Sequence, residues 1–431
     1  MSTPDGSDAG LARVQRPERM QIEWQPIALD QMVPGDHRVR VVWRYVESLD
    51  LSPLYAKIRA VEGRAGRDAV DPRILLALWM FATIEGVSSA RQLDRLCERD
   101  VAYLWICGSV GVNYHLLSDF RSAHGEFLDQ LLTKTIATLL HQGLVTLELA
   151  AQDGMRVRAN AGSSSFRREP TLKKCLEQAR QQVEKLNAER EQEANPDTSH
   201  ARREAASQRA AAEREQRIEQ ALQELAQLQA QREQRKAGSG EEARASTTDP
   251  EARNMKMACG GYRPAYNVQL ATTGGTRLIV GVDVTNSGSD RGQMAPMHEQ
   301  IRERYGKVPG QYLVDCGFNT KDDITQLEQH STRVYAPPYH EESTKAKGLD
   351  PYARKRHDND ETFAARQRMG TAEGQALYKQ RPSIAEYANA EFRNRGLQQF
   401  RVRGLAKVRV IALWHAVTFN LMRMMSLKVV T

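Results

Sequence analysis

Two aspartates of this chain each follow an apolar segment and precede a glycine by at most two residues. Asp153 lies in "AAQDGMRVRAN" and Asp315 lies in "YLVDCGF". An ionised carboxylate at the end of a buried strand is costly unless it is paired or bound to a cation. Two such carboxylates at one sheet edge make an oxygen-ligand site suited to Mg²⁺ or Mn²⁺. Taken singly, each aspartate is explained as well by a turn that follows a strand.

A third acidic ligand is available in "YKQRPSIAEYANAEFRNRGLQQFRVRGLAKVR", residues 378–409. Pro382 is suited to the first turn of a helix, which places Glu386 in the second turn. Arg393 follows seven residues later and therefore lies on the same helical face. On its own, this pair is equally explained as a surface arrangement of opposite charges.

The same segment is strongly basic. Within residues 392–409 the cations are Arg393, Arg395, Arg401, Arg403, Lys407 and Arg409. Such a density beside a candidate acid predicts contact with a DNA backbone, and the alternative is a solvated basic helix face. The net charge of +7 and the pI near 9.1 favour a polyanionic partner only weakly.

Several classes of protein are disfavoured by what the sequence lacks. The five cysteines form no C-x-x-C pair, so we expect a reducing cytosol rather than a disulfide framework or a zinc finger. No glycine-rich P-loop supports ATP chemistry. The N-terminal segment has no apolar core of a secretory signal. The apolar segment 408–422 contains Arg409 and is too short to span a bilayer, so we expect a core helix and no membrane partner.

Residues 20–145 are predicted to form a helical N-terminal domain. "DPRILLALWMFATIEG" has Pro72 at a first helical position and ends at Gly86, and Ser88 is a candidate cap for the next helix. A short helix, a glycine-containing turn and a second helix are typical of a helix-turn-helix DNA-binding unit. An ordinary helical bundle explains the pattern equally well.

Residues 146–425 are predicted to form an α/β domain with a mixed sheet. Strand-like segments lie at 147–160, 265–273, 276–287, 310–317 and 332–338, and helix-like segments precede and follow the fourth. The order strand-strand-strand-helix-strand-helix-strand is typical of such a sheet. The short links between the early strands predict antiparallel pairing, whereas the later strands require crossovers.

An insertion at 168–240 separates the first two of these strands and has a different composition. It is rich in Gln, Glu, Arg and Ala. Apolar residues recur near heptad spacing, and Asn195 and Pro196 interrupt them, so we predict an antiparallel coiled-coil-like hairpin. Disorder is the alternative, since the apolar seam is thin. The seam residues are Leu172, Leu176, Val183, Leu186, Ile218, Leu222, Leu225 and Leu228.

Taken together, these blocks resemble the DDE transposases of bacterial insertion sequences. "QDGMRVRAN" and "LVDCGFNTKDDI" resemble the blocks around the first and second catalytic aspartates, and "YKQRPSIAEYANAEFR" resembles the block with the catalytic glutamate. "STTDPEARNMKM" and "GGYRPAYNVQLATT" resemble the branch that carries a helical insertion. "EGVSSARQLDRLCERD", "LLSDFRSAH" and "RGLAKVRVIALWHAVTFNLMRM" extend the resemblance over about residues 20–425.

The resemblance implies an RNase H-like fold and a metal-binding triad of Asp153, Asp315 and Glu386. Tyr378 and Arg381 take the Tyr and Arg places of the family's Tyr-Arg-Glu-Lys signature. The Lys place falls on Arg393, and Arg381 stands one residue further from Glu386 than the usual pattern. Arginine can still contact a phosphate, bidentately where lysine is a point charge.

The resemblance further implies two Mg²⁺ or Mn²⁺ ions ~4 Å apart, which activate water and stabilise the leaving 3′-oxygen. The implied activity is cleavage of double-stranded DNA at transposon ends, followed by strand transfer into target DNA. The expected contacts to DNA are Tyr378, Arg381, Arg393, Arg401, Arg403 and Lys407. We expect a cytoplasmic, nucleoid-associated protein that works as a homodimer or larger. The alternatives are a catalytically silent DNA-binding regulator and an RNase H-like nuclease without strand transfer.

Overall fold

The computed structural model describes residues 26–60, 68–192 and 198–430. Two sequence predictions therefore lie outside the described residues. They are the beginning of the helical region at 20–25 and the break at Asn195 and Pro196.

Among its described residues, the N-terminal region contains helices and no strands. Pro72 begins the third helix, and the side chain of Asp71 caps it by accepting a hydrogen bond from the Arg73 amide. The fourth helix is capped by Ser89 rather than by Ser88, since the side chain of Ser89 accepts from the Gln92 amide. The helices are α1 (Arg38–Glu47), α2 (Ser52–Tyr55), α3 (Pro72–Ile84), α4 (Ala90–Arg99), α5 (Val101–Cys107), α6 (Tyr114–Ala123) and α7 (Gly125–His141).

The strands combine into a six-stranded mixed sheet and a two-stranded ribbon. They are β1 (Leu149–Arg158), β2 (Phe166–Arg167), β3 (Ala245–Ser246), β4 (Arg253–Lys256), β5 (Tyr262–Thr273), β6 (Ile279–Thr285), β7 (Gln311–Leu313) and β8 (Arg333–Tyr335). The order in the large sheet is β4-β5-β1-β7-β8, with β6 also paired to β5, while β2 pairs with β3. All five predicted strand segments belong to the large sheet, and β4 is an additional strand.

The pairing directions follow from the connections. β1 is antiparallel to β5, and β5 is antiparallel to β4 and β6, whereas β7 is parallel to both β1 and β8. Parallel neighbours need crossovers, which here contain helices. This arrangement is the RNase H-like mixed sheet that the sequence predicted, and the predicted fold class is confirmed.

The insertion forms two long helices, α8 (Glu169–Gln192) and α9 (Thr198–Arg235). Their contact buries Leu172, Ile218 and Leu225 of the predicted seam. Leu176, Leu222 and Leu228 pack against this cluster, while Val183 and Leu186 are half-buried outside it. The helical hairpin is therefore held by a short apolar cluster at the end nearest the sheet.

The remaining helices cover the sheet. They are α10 (Met294–Tyr305), α11 (Lys321–Gln329), α12 (Glu341–Ala346), α13 (Asp360–Gly370), α14 (Ala372–Tyr378), α15 (Tyr387–Asn394) and α16 (Leu405–Ser426), with a π-helical turn at Pro382–Glu386. Within the described residues, one helix, α16, is long and apolar enough to cross a membrane, but 72% of its apolar window is buried inside the protein. Trp414 of α16 donates to the backbone oxygen of Arg121 in α6, so α16 joins the N-terminal helices to the sheet as a core helix.

Candidate active site

The first two acids lie where two parallel strands diverge. The pairing of β1 with β7 ends at Ala151 and Leu313. Asp153 and Asp315 each lie two residues beyond this last pair, at the carboxyl ends of the paired segments. Ligands of open α/β sheets bind at this kind of strand end. The parallel register of β1 and β7 thus brings two sequence-distant acids to one edge.

Asp315 begins a short 3-10 turn, Cys316–Phe318, and its Oδ1 accepts a hydrogen bond from the Gly317 amide at 2.7 Å. This local bond holds one carboxylate oxygen and leaves the other directed elsewhere. Oδ2 lies 3.9 Å from Nη2 of Arg381. The turn therefore explains why Gly317 follows Asp315, and it leaves one oxygen available for the site.

The third acid is presented by the π-helical turn. Arg381 directly precedes this turn and Glu386 ends it, five residues later. In an α-helix the neighbours on one face are three or four residues apart, whereas a π-helix closes its hydrogen bonds over five. Arg381 Nη1 accordingly lies 3.5 Å from Glu386 Oε1. The extra residue that separates this chain from the usual family spacing is absorbed by the π turn.

One guanidinium contacts all three acids. Arg381 Nη2 lies 3.0 Å from Asp153 Oδ1, in addition to the contacts with Asp315 and Glu386. The Arg381 side chain is 8% exposed, and its Nε is buried without a hydrogen-bond partner. The exposed fractions of the acids rise from 17% for Asp153 to 40% for Asp315 and 59% for Glu386. The structure thus brings the three predicted acids together around a single cationic group.

A further residue, Asn389, was missed by the sequence analysis. Its Nδ2 donates to Asp153 Oδ2 at 2.8 Å, and its side chain is buried. Together with Arg381 it fixes both oxygens of Asp153. Its position three residues after Glu386, and therefore on the same helical face, was the available signal.

Burial sets the electrostatics of the site. Burial raises the pKa of Asp153 to about 6, while the neighbouring Arg381 guanidinium opposes the rise and the nearby Asp315 carboxylate adds to it. Burial also raises the pKa of the Tyr378 hydroxyl to about 12, again against the effect of Arg381. Tyr378 packs against the apolar cluster under the site. A desolvated carboxylate of this kind favours a nearby cation.

The donor set fits a hard divalent cation. Three carboxylates at one open sheet edge supply the oxygen ligands that Mg²⁺ and Mn²⁺ prefer. Among the described residues, no three His, Cys, Asp or Glu side chains are arranged to hold an ion directly. In the observed arrangement the Arg381 guanidinium lies between the acids and compensates their charge.

The opposite face of β1 carries a second polar group of residues, which we call the Asp290 network. Asp290 Oδ1 accepts hydrogen bonds from Asn267 Nδ2 and Gln269 Nε2, both at 2.7 Å, and Oδ2 lies 3.2 Å from Arg156 Nη2. Gly154 lies directly above it, and a Cβ at that position would come within 2.2 Å of Asp290 Oδ1. Since neighbouring residues of a strand face opposite sides, this network lies behind the face that bears Asp153.

The basic segment is not one helical face: it comprises the end of α15, a loop and the first turns of α16. α15 ends at Asn394 and α16 begins at Leu405. Two of its cations are used inside the protein: Arg395 donates to the backbone of Ile84, and Arg409 pairs with Asp283. Of the six predicted DNA contacts, Tyr378 is half-buried, and Arg381 is buried and contacts the three acids. The other four are exposed and do not contact the acids in the described structure: Arg393, Arg401, Arg403 and Lys407.

Two family models match the chain. Residues 229–421 match a model described as a transposase DDE domain, and residues 27–123 match one described as a transposase domain (DUF772). Asp315 and Glu386 lie inside the first match, whereas Asp153 lies before it. No curated protein and no solved structure matches the chain.

Proposed function

Because the chain belongs to the DDE transposases of insertion sequences, we propose that it cleaves DNA at the ends of such an element and joins the freed 3′ ends to target DNA. The observation that carries this proposal is the contact of Arg381 with Asp153, Asp315 and Glu386. Three sequence-distant carboxylates around one buried cation are difficult to explain as a turn, a cap or a surface ion pair.

In this proposal Asp153, Asp315 and Glu386 are the residues that hold Mg²⁺ or Mn²⁺. When bound, such ions activate water and stabilise the leaving oxygen of an in-line displacement. Asn389 keeps the Asp153 carboxylate oriented, since its Nδ2 donates to Asp153 Oδ2. With its hydroxyl pKa raised to about 12, Tyr378 stays protonated at neutral pH and acts as a hydrogen-bond donor rather than as a nucleophile.

Arg381 has a second role in this proposal. Its guanidinium is planar and carries several donors, which match the oxygens of a phosphate as well as those of a carboxylate. If the acids held divalent cations, the Arg381 guanidinium would no longer be needed to compensate their charge. It would then be free to contact a phosphate of the DNA.

The DNA partner is expected along the exposed cations of the basic segment. Arg393, Arg401, Arg403 and Lys407 are all exposed, and the net charge is +7. We assign DNA recognition to the N-terminal domain at 20–145 and chemistry to the catalytic domain at 146–425. The helical hairpin is the insertion at 168–240 within the catalytic domain. Pairing of two transposon ends requires a homodimer or larger assembly. The bacterial cytoplasm, where the nucleoid lies, is the expected location.

The test uses the full-length protein with Mn²⁺ and DNA that carries the ends of the element. We expect 3′-end nicks and joined products from the wild-type protein. Asp153→Asn, Asp315→Asn and Glu386→Gln should each lower the cleavage rate by more than about a thousandfold, roughly 4 kcal/mol of barrier, without loss of DNA binding. Asp322→Asn, a change of an exposed acid on α11, is the matched control and should keep the wild-type rate.

Three results would contradict the proposal in different ways. Binding without cleavage indicates a silent DNA-binding derivative. Cleavage without joining indicates a nuclease. Cleavage that persists in all three acid variants means that the site is wrongly assigned.

A further inference from the structure

A cavity of about 490 Å³ lies where three parts of the chain meet. We call it the junction cavity. One wall is α6, with Asp119; the second is α9 of the helical hairpin, with Arg217; the third is the segment 401–407, which includes the first turn of α16, with Arg403 and Lys407. Residues 248–250 also line the cavity. The three walls come from the N-terminal helices, the insertion and the C-terminal basic segment, so the cavity exists only in the assembled fold.

Two contacts fix the part of α9 that carries Arg217. Ile218, the next residue, is buried in the apolar cluster between α8 and α9. Further along α9, Glu224 pairs with Arg253 of β4, and both side chains are largely buried. Arg217 therefore lies at the anchored end of the hairpin, where the cost of ordering its side chain for a ligand is reduced.

The cavity wall carries more cations than the protein itself neutralises. Arg401, Arg403 and Lys407 form no ion pair with any described residue, and Arg217 has only Glu213, at 3.6 Å. Glu213 is 70% exposed, so its attraction is weakened by solvent. The two other carboxylates at the wall are those of Asp119 and Asp249.

Asp249 is already engaged by the protein. It is buried, and its Oδ1 accepts hydrogen bonds from the Tyr266 hydroxyl at 2.7 Å and the Gly404 amide at 3.1 Å. Burial raises the pKa of this carboxyl group, which favours its neutral form. Its charge therefore opposes an anion in the cavity less than that of an exposed carboxylate would.

Two buried polar atoms at the cavity wall have no hydrogen-bond partner. They are Arg217 Nε and Asp249 Oδ2. Burial lowers the pKa of the Arg217 guanidinium, and the neighbouring Arg403 lowers it further. Orphaned donors are rare in folded proteins because each costs the desolvation of the group. A phosphate oxygen in the cavity would accept from Arg217 and separate it from Arg403.

We propose that the junction cavity binds a backbone phosphate of DNA, with Arg217, Arg403 and Lys407 as its ligands. This inference rests on the proposed function, because it takes DNA as the partner. It gives the helical hairpin a direct part in DNA binding, away from the carboxylates that do the chemistry. Since Asp119 and Glu213 also line the wall, a small free anion is bound weakly, and the site works as one contact among several along a duplex.

The experiment measures the dissociation constant of a duplex of random sequence against salt concentration, with the full-length protein. Arg217→Ala should raise the dissociation constant about tenfold and reduce the slope of log K against log salt by about one phosphate. Arg232→Ala removes an exposed arginine from the last turn of the same helix and should change neither quantity.

A second variant guards against misfolding. Gln216→Glu places a negative charge at an exposed position of the cavity wall on α9 and should produce the same kind of loss. If Arg217→Ala lowers the melting temperature strongly, the decision passes to Gln216→Glu. If the folded variants keep the wild-type affinity and salt slope, the inference is overturned while the proposed function stands. If the wild-type protein binds no duplex at low salt, the proposed function fails and the inference fails with it.

Discussion

Asp153 and the Asp290 network lie on opposite faces of β1, and each aspartate receives hydrogen bonds from one arginine and from amide groups. Asp290 is served by Arg156, Asn267 and Gln269, and both of its oxygens are occupied. Asp153 is served by Arg381 and Asn389.

The two arginines, Arg156 and Arg381, differ in the number of carboxylates that each contacts. Arg156 pairs with Asp290 and donates its other bond to the Gly288 backbone. Arg381 is divided among three acids, two of which are substantially exposed. A saturated acid with its own cation joins segments of the fold. An acid that shares its cation with other acids is able to exchange that cation for a ligand.

The largest expected effects are a loss of stability when Asp290 is replaced and a loss of cleavage when Asp153 is replaced. Asp290→Ala leaves two buried amide donors and Arg156 without their acceptor and should lower the free energy of unfolding by about 3 kcal/mol. Asp153→Ala also leaves Asn389 and Arg381 without this acceptor, but it removes a carboxylate whose charged form burial disfavours. The net change in the free energy of unfolding should therefore be less than about 1 kcal/mol, while cleavage is lost. Urea denaturation and the cleavage assay measure the two quantities. The comparison is wrong if Asp153→Ala is the more destabilising change.

Gly154→Ala tests how closely the Asp290 network packs against the backbone of β1. The new Cβ would lie 2.2 Å from Asp290 Oδ1 and 2.6 Å from Gln269 Nε2, so the Asp290 network must shift. We expect a loss of about 2 kcal/mol in the free energy of unfolding. Gly111→Ala is the control, since a Cβ there meets no atom within 4 Å. Equal denaturation midpoints for the two variants would refute the close packing of the network.

Asn389→Leu sharpens the Asp153 side of the comparison. The substitution keeps the branched shape of the side chain, with a larger volume, but removes the donor to Asp153 Oδ2, so the cleavage rate at saturating DNA should fall about tenfold. DNA affinity should not change. Asn394→Leu, at the exposed end of the same helix, should keep the wild-type rate. An unchanged rate in Asn389→Leu would show that Asn389 does not position the acid.

The smallest expected effect is on the pH dependence of the free energy of unfolding, and it arises from His298, which lies behind the Asp290 network. Tyr312 donates to Gln152, and Gln152 donates to Gln269 of the network; the ring of Tyr312 packs edge-on against His298. Burial, with a smaller contribution from the nearby His330, lowers the pKa of His298 to about 4.

The folded state therefore binds fewer protons than the unfolded state between about pH 6.5 and 4, and stability falls as the pH falls through this window. The loss should approach about 1 kcal/mol per pH unit from His298 alone. His298→Gln should flatten the dependence of the unfolding midpoint on pH in that range. His415, whose pKa burial lowers to about 3, and Asp153, whose pKa burial raises to about 6, are present in both proteins and contribute to the remaining slope with opposite signs. A parallel curve for the variant would contradict the assignment to His298.

Much of the fold is readable from local pattern. The apolar alternation of residues 147–160 and the long periodic segments at 71–86 and 408–422 predict the strand and the helices that the structure contains. These patterns work because they record which side of each element is buried. The cap of α4 was misplaced by one residue, from Ser89 to Ser88, since either serine satisfies the local rule and only the backbone geometry selects between them.

The geometry of the candidate site could not be predicted from local sequence patterns. The sequence alone determined which acids are available and which segments carry them, because residue type and periodicity are local properties. The tertiary structure decided that Asp153 and Asp315 share an edge, through the parallel pairing of β1 and β7, and that a π turn carries Glu386 to Arg381. It also assigned Asn267 and Gln269 to Asp290 and Asn389 to Asp153. The physical reason is that a hydrogen bond between distant residues depends on chain crossovers and register, which no local pattern specifies.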